Sequence, residues 1–472
     1  MIRKTLFLIA PLLLASATAA QAPGLSASDR ASGAQMHPQL LAQFGGAYDG
    51  PQAAYVRSVG QRIALQSGLA SNAGDYTVTL LNSNVNNAFA IPGGYVYVTR
   101  QLVALMNDEA ELAFVMGHEV GHVAARHSQK REQRSGLASI LAGIAGAVTG
   151  SNIVGQVAGA GAQLYTLGYS RDQEREADSL GVRYLTRAGY DPMASGRILA
   201  ALGAQTSLEA RLAGQDGKEP AGWLSTHPAT GERVARINKE AATLVARAGQ
   251  RATNRDAFLN AINGMIYDDD PAQGLVQGNR FRHPGLGLGF DAPAGFALQN
   301  SATQVVGSRA QAGQFSFAGL PARGLDLASY SARVWQGAGA EPPTVRPTRI
   351  NGIDAAISQT RASTRSGPVD ATLVVYRWSP DTFYHLLMIA PVGGAAVFDP
   401  LINSVRRLPP EEARQLRGRR VQVVTVKAGD TVQSLAARMA YGDDRLARFT
   451  VLNGITASTR LPVGSRVKLI VN

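Results

Sequence analysis

The stretch N-D-E-A-E-L-A-F-V-M-G-H-E-V-G-H-V-A-A-R-H-S, residues 107–128, constrains this chain most, because it sets ionisable side chains inside an apolar run. Asn107 and Asp108 are capping candidates, Glu109 and Glu111 fall in the first turn, and Arg126 lies towards the end, so the segment predicts a long helix. On a helix, positions i and i+4 share one face, one turn apart, which places the imidazoles of His118 and His122 side by side. Leu112, Ala113, Val115 and Met116 would bury this helix. Imidazoles buried beside a carboxylate are costly unless something pairs them.

Two histidines at this spacing suit two ligands of a single tetrahedral Zn2+, with Zn–N distances of about 2.0–2.1 Å. Glu119 lies about 100° round the helix from His118, where its carboxylate can reach water held by a metal rather than the metal itself. A core helix that happens to carry two histidines is the competing reading of the motif alone. A catalytic zinc needs a third protein ligand. An H-E-x-x-H-x-x-G-x-x-H pattern is excluded, because Ala125 and Ser128 stand where it needs glycine and histidine, and His127 is one position out of register. The segment S-R-D-Q-E-R-E-A-D, residues 170–178, supplies an acidic ligand instead: Glu174 and Asp178 again share one helix face. Glu174 can bind metal while Asp178 accepts an N–H from a ligating histidine, and Glu176 points elsewhere. Taken alone, that acidic pair also reads as a solvated face.

The rest of the chain narrows the setting. Arg3 and Lys4, an apolar stretch from Leu6 to Leu14, and small residues offering cleavage sites at Ala17 to Ala22 predict a secretory signal over residues 1–22. An uncleaved membrane anchor is the alternative. Cysteine is absent, so any metal must be held by histidine and carboxylate, and an exported chain of this length without disulfides points to a bacterial periplasm. The formal net charge of +12 falls to +10 without Arg3 and Lys4, and suits anionic membrane surfaces and cell-wall polymers. It also fits a solvated surface with no partner. No aromatic-plus-basic recognition motif is present, so no nucleic-acid partner is expected.

At 472 residues the chain calls for several domains, and the expected class is α+β. Residues 23–270 read as mainly helical with a small sheet, from D-Y-T-V-T-L-L-N-S (75–83) and Y-V-Y-V-T (95–99) around an I-P-G-G turn. Residues 135–170 carry no charge, and their glycines suggest a Gly/Ala-rich hairpin, buried or covering an active site, rather than a membrane span. Alternating segments with one helix, L-A-S-Y-S-A-R-V-W-Q-G, make residues 281–408 an α+β accessory domain. Residues 409–420 read as a charged linker and residues 421–472 as a compact βααβ unit.

H-E-x-x-H followed about fifty residues later by E-x-x-x-D within S-R-D-Q-E-R-E-A-D resembles the gluzincin metallopeptidases. That family includes the CAAX prenyl proteases, the heat-shock membrane protease group, and periplasmic proteases that survey outer-membrane β-barrel assembly. The resemblance covers roughly residues 27–264. It implies one Zn2+ per chain bound by His118, His122 and Glu174, with Glu119 as catalytic base and Asp178 orienting a ligand histidine. N-N-A-F-A-I-P-G-G is similar to the strand before the catalytic helix in that family, which implies that Asn87, Ala88 and Phe89 border the substrate cleft. S-T-H-P-A-T-G-E-R-V-A-R-I matches the family's downstream T-H-P segment and implies that His227 lies near the zinc. His227 is the expected donor to a developing oxyanion; a turn histidine fixed by Pro228 is the alternative. Peptidases of this geometry commonly hold substrate as an added strand, so unfolded or misassembled polypeptide is the expected substrate.

V-K-A-G-D-T, V-L-N-G and L-P-V-G-S-R-V-K-L resemble a LysM domain, which implies binding of N-acetylglucosamine polymers and hence peptidoglycan. Where such domains have a large aromatic after the D-T pair, this chain has Val432 and Gln433. The leading expectation is an exported zinc metalloendopeptidase tethered to the cell wall, with outer-membrane assembly machinery as a further partner. A peptidoglycan-binding scaffold or chaperone without proteolysis, and a cell-wall peptide hydrolase, are the alternatives.

Overall fold

The computed structural model describes residues 24–127, 169–212, 223–228, 231–249, 251–364 and 367–472. The expected signal, and all of the expected Gly/Ala hairpin except Tyr169 and Ser170, lie outside the described residues. Among the described residues no helix is long and apolar enough to cross a membrane.

The chain opens with α1 (Ala27–Gln43), whose first turn is closed by the Ser26 side chain accepting from the Asp29 amide, and α2 (Pro51–Leu65), started by Pro51. Strands β1 (Thr77–Leu81), β2 (Ala88–Ile91) and β3 (Tyr95–Thr99) form a sheet in the order β1-β3-β2. β1 and β3 run parallel; β2 and β3 form a hairpin in register Ala88 to Val98, turned by Gly93 and Gly94 at φ +89° and +87°. β2 is therefore an edge strand. Short α3 (Arg100–Leu105) leads into α4 (Glu109–Ala124), the helix expected from the histidine segment. Residues 109–122 of α4 are all buried, as suits a helix apolar on every side and enclosed by its domain.

Helices α5 (Arg171–Arg187), α6 (Ala194–Leu212), α7 (Trp223–Thr226), α8 (Gly231–Ala248) and α9 (Arg255–Ile262) complete the helical layer. α5 ends as its sequence implies, with Gly189 at φ +91° ahead of Pro192. The contact between α4 and α5 is close because it is made by small residues. A Cβ added at Gly181 would stand 3.1 Å from the His118 amide nitrogen, and one at Gly121 3.1 Å from the Ala177 carbonyl oxygen. That proximity lets short carboxylate side chains on α5 reach imidazoles on α4.

After β4 (Ile266–Tyr267) the chain enters a second body. Strands β5 (Leu275–Gln277), β6 (Arg280–His283), β7 (Leu288–Asp291), β8 (Ala297–Asn300), β9 (Gln304–Arg309) and β10 (Gly313–Pro321) precede α10 (Leu327–Gly337). Strands β11 (Arg346–Ile350), β12 (Ile353–Thr364), β13 (Gly367–Ser379) and β14 (Thr382–Pro391) follow, then α11 (Asp399–Ser404) and β15 (Arg406–Arg407). A seven-stranded sheet runs β11-β12-β13-β14-β10-β9-β8 and a smaller one β15-β7-β6-β5. The large sheet is buried on both faces. Tyr330, Val334 and Trp335 of α10 cover one face, while Phe290, Phe315, Tyr376 and Phe398 fill the other.

Residues 409–420, expected as a linker, hold α12 (Pro410–Gln415) and the start of β16 (Arg419–Thr425). α13 (Val432–Ala436), α14 (Arg445–Asn453) and β17 (Arg466–Val471) then give the order strand, helix, helix, strand. This unit is not separate from the first body. β16 pairs with β17 on one side and with β4 on the other, Arg419 opposite Tyr267. Val421, Leu435, Phe449 and Leu469 belong to the same hydrophobic cluster as Met106, Phe114, Phe258 and Tyr267. Lys468, fully buried, donates from Nζ to the carbonyl oxygens of Ala104, Leu105 and Met106 at 2.7, 3.1 and 2.6 Å, closing the carboxyl end of α3.

The aspartate run 268–270 ties the first body, its C-terminal part and the second body together. Asp268 accepts from Arg419 and Tyr441, Asp269 from Asn84 and the Val276 amide, and Asp270 from Asn82.

Candidate metal centre

The site is built from two helix starts and one loop. Asp108 caps α4 by accepting from the Glu111 amide, and Glu109 accepts from Tyr55, Tyr190 and Asn254, anchoring the helix where its dipole is positive. α5 opens with a reciprocal capping box between Ser170 and Gln173, so Glu174 sits in its first turn.

On these helices His118, His122 and Glu174 converge. The two Nε2 atoms are 3.0 Å apart, His118 Nε2 lies 3.6 Å from Glu174 Oε2, and His122 Nε2 lies 3.5 Å from Glu174 Oε1. Ligand atoms at about 2.0–2.1 Å from a tetrahedral zinc stand about 3.3 Å from one another, so these separations suit the corners of such a site. The donors agree with the geometry. His118 turns Nδ1 towards Asp178 Oδ1 at 3.1 Å and His122 turns Nδ1 towards His127, leaving both Nε2 lone pairs to meet a carboxylate. Glu174 Oε2 is buried and accepts no hydrogen bond, although Arg233 Nη1 stands 2.8 Å from it outside hydrogen-bond geometry. Two lone pairs and a carboxylate aimed at one point repel each other unless a cation stands between them. The residues therefore fit a divalent ion that accepts nitrogen and oxygen donors.

His227 joins this group as a fourth side chain within ligand reach. Its Nδ1 is 2.8 Å from Glu174 Oε1 and 3.3 Å from His118 Nε2, and its Nε2 is 3.7 Å from Glu119 Oε1. Expected near the zinc as a donor, it stands inside the ligand cluster itself.

Electrostatics follow from the contacts. Burial raises the Glu174 carboxyl, but the charge of His227 and the 2.8 Å contact to its Nδ1 outweigh it and hold the group far below the usual carboxylate range. Burial likewise opposes ionisation of Asp178, yet hydrogen bonds from Arg233 and the imidazole of His118 3.1 Å away bring it down to about 2. Burial pushes His122 well down, favouring the neutral imidazole that a metal needs. Burial would lower His227 too, but the charges of Glu174 and Glu119 raise it.

Three residues that the sequence reading left without a role, and His127, expected at the surface or beside a ligand, prove central. Trp223 on α7 donates from Nε1 to Glu119 Oε1 at 2.9 Å, stacks on His227 with centroids 4.7 Å apart, and is tied by its amide to the Asn86 carbonyl. Arg233 on α8 forks onto both Asp178 oxygens at 2.8 Å, with Arg236 adding a third contact. Tyr169 stacks on the His122 ring at 3.6 Å. His127, beyond the end of α4, is fully buried against His122. The signal for Trp223 and Arg233 was their nearness to His227 in the chain.

Asn87 immediately precedes β2, and Ala88 and Phe89 open that strand, which packs beside α4. All three are buried, and the Phe89 ring lies against Phe44 and Tyr97 at 5.0 and 4.7 Å. What β2 offers at the sheet edge is thus its backbone rather than that ring. His37 hydrogen-bonds Tyr97, while His283 and His385 belong to the second body, apart from this cluster.

Residues 51–241 match the sequence family described as Peptidase family M48. The chain is 30% identical over 192 residues to the beta-barrel assembly-enhancing protease of Escherichia coli, a match covering 38% of this chain and 37% of that protein. It is 29% identical over 198 residues to the protein of the same name from Yersinia pestis, covering 40% of this chain and 38% of the relative. With the mitochondrial metalloendopeptidase OMA1 of Schizosaccharomyces pombe it shares 30% identity over 190 residues, covering 40% of this chain and 53% of the relative. The chain thus spans less than two fifths of the length of these bacterial relatives, and the family match ends before the second body begins.

Proposed function

Through residues 51–241 this chain belongs to peptidase family M48, and on that premise we propose that it is a zinc metalloendopeptidase acting on unfolded or misassembled polypeptide. The observation that carries this reading is the convergence of His118 Nε2, His122 Nε2 and Glu174 from two helices, with Glu119 beside them. Zinc held by those three residues would supply a Lewis acid that polarises the scissile carbonyl and acidifies water.

The protein's own groups do the rest. Glu119 takes the proton of the attacking water as its oxygen adds to the carbonyl carbon, and returns it to the amide nitrogen as the C–N bond breaks. The Trp223 N–H holds Glu119 Oε1 at 2.9 Å and leaves the other oxygen to carry that proton. His227 has its protonated form favoured by two carboxylates, and is the proposed donor to the developing oxyanion. Arg233 and Arg236 fix Asp178, which orients His118.

Substrate is proposed to add as a strand to β2, the sheet edge beside α4, which demands an extended chain and excludes a folded one. The bacterial relatives, named for β-barrel assembly, support β-barrel polypeptides as substrates; a periplasmic setting, misassembled outer-membrane proteins and recruitment by assembly machinery belong to the same proposal. The βααβ order of residues 419–471 supports the LysM-like reading and peptidoglycan as its ligand.

Replacing Glu119 with Gln tests the core of this proposal. Zinc content and unfolding midpoint should stay at wild-type values while cleavage of an unfolded β-barrel polypeptide drops by at least about 100-fold. Unchanged cleavage would refute it.

A further inference from the structure

A histidine that binds metal through Nε2 must give its Nδ1 proton to an acceptor, and that bond sets both the tautomer and the plane of the ring. For His118 the group facing Nδ1, at 3.1 Å, is the Asp178 carboxylate, clamped by two arginines. For His122 the atom facing Nδ1, at 3.0 Å, is Nδ1 of His127. His127 Nε2 in turn lies 3.2 Å from Glu176 Oε2. One proton arrangement satisfies the whole chain with neutral rings: His122 Nδ1–H donates to His127 Nδ1, and His127 Nε2–H donates to the Glu176 carboxylate. It leaves the Nε2 lone pair of His122 directed at the cluster.

The backbone is shaped for this contact. α4 ends at Ala124, and Arg126 takes φ +54°, a left-handed conformation that L side chains rarely adopt, which folds His127 back against the helix it has just left. The returned ring is fully buried, 5.1 Å from His122 and steeply inclined to it at 68°, while Tyr169 stacks on the His122 face. Glu176, by contrast, keeps 56% of its side chain exposed, so the relay ends at the surface.

We propose that His127, backed by Glu176, is the positioning residue for the metal ligand His122, doing with a neutral imidazole what Asp178 does for His118 with a carboxylate. The inference rests on the zinc reading above and deepens it. It assigns a function to the fifth residue after H-E-x-x-H and to the second glutamate of the E-R-E run, neither of which reaches the metal.

The test is zinc affinity of the full-length protein, measured by competition with a chromogenic chelator. It is paired with the unfolding midpoint of metal-free protein and with imidazole 15N shifts of His122. His127→Leu removes the acceptor. His127→Asn keeps one, because its Oδ1 occupies about the place of Nδ1. Affinity should fall about 10–100-fold in His127→Leu and return to near wild type in His127→Asn. Glu176→Gln should show a smaller loss. The metal-free midpoints of His127→Asn and Glu176→Gln should match wild type. In metal-free wild type the 15N shifts should report the Nδ1–H tautomer of His122, and in His127→Leu a mixture. Affinity of His127→Leu within ~2-fold of wild type, well short of a ligand-orienting effect, overturns the proposal alone, as does His127→Asn binding as weakly as His127→Leu. Wild-type protein that takes up no zinc overturns the metallopeptidase reading as well.

Discussion

Trp223 shows what one side chain contributes to this site. Its indole N–H is the hydrogen bond to the carboxylate proposed as the base, and its ring is the surface on which His227 rests. A hydrogen bond to a charged group is worth about 1.5–3 kcal/mol. Trp223→Phe, which keeps the stacking ring and loses the donor, should therefore lower kcat by roughly 10–100-fold with zinc content unchanged. Steady-state kinetics on an unfolded substrate, alongside metal analysis, checks both halves. That His118 and His122 share one helix face, and Glu174 and Asp178 another, could be read from helical spacing, while the grouping of both pairs with Glu119 was implied by the family resemblance. Trp223, Arg233, Tyr169 and His127 could not. They reach the site through a loop entry, a second helix, a stack and a reversed turn, none of which leaves a periodic trace.

Between elements, the α4–α5 contact decides whether the ligands meet. Gly181 faces the His118 backbone at a distance no larger residue tolerates without movement. Gly181→Val should cost about 1–3 kcal/mol through overpacking, and should weaken zinc binding more than a mutation of equal cost placed elsewhere. Denaturation and chelator competition on the same variant separate the two effects. In the second body, His385 on β14 is buried beside the Tyr330 hydroxyl, and burial pushes it down to about 4 from its ordinary 6.5. Between those values the unfolded chain binds a proton that the folded one refuses. Stability from this group is thus full above pH 6.5 and is lost as pH falls towards 4, by up to about 3 kcal/mol. Hydrogen exchange of β14 amides should speed up over that window, and His385→Gln should flatten the dependence.

For the molecule as a whole, the notable feature is that residues 419–471 share a sheet and a hydrophobic cluster with the first body. Lys468 closes α3 immediately before the helix that carries His118. A detachable wall-binding module would leave catalysis intact when removed. Here, deleting residues 419–472 should lower the unfolding midpoint of the first body and abolish the proposed cleavage, even of a short soluble peptide that needs no tethering. Lys468→Met should reproduce part of that loss, costing about 3 kcal/mol or more, since three buried carbonyls lose their donor and Glu111 its nearby charge. Wild-type stability in the Lys468→Met variant would show the contact to be incidental.

Local chemistry carried much of this protein in plain view. The capping candidates and apolar residues announced α4, Gly189 ahead of Pro192 announced the end of α5, the I-P-G-G signal announced the turn before β3, and the i, i+4 pairs announced two faces able to share an ion. Each of these depends on residues within a few positions of one another, where backbone geometry dictates which side chains can meet. Alternating apolar residues in β16 and β17 likewise promised buried strands but could not say against what, because burial is non-directional and any apolar surface serves. The partner turned out to be the first body. The same holds for the ring that backs His122. Five residues along a helix His127 would point away from it, and it took the left-handed turn at Arg126, packed in the finished fold, to bring the two together.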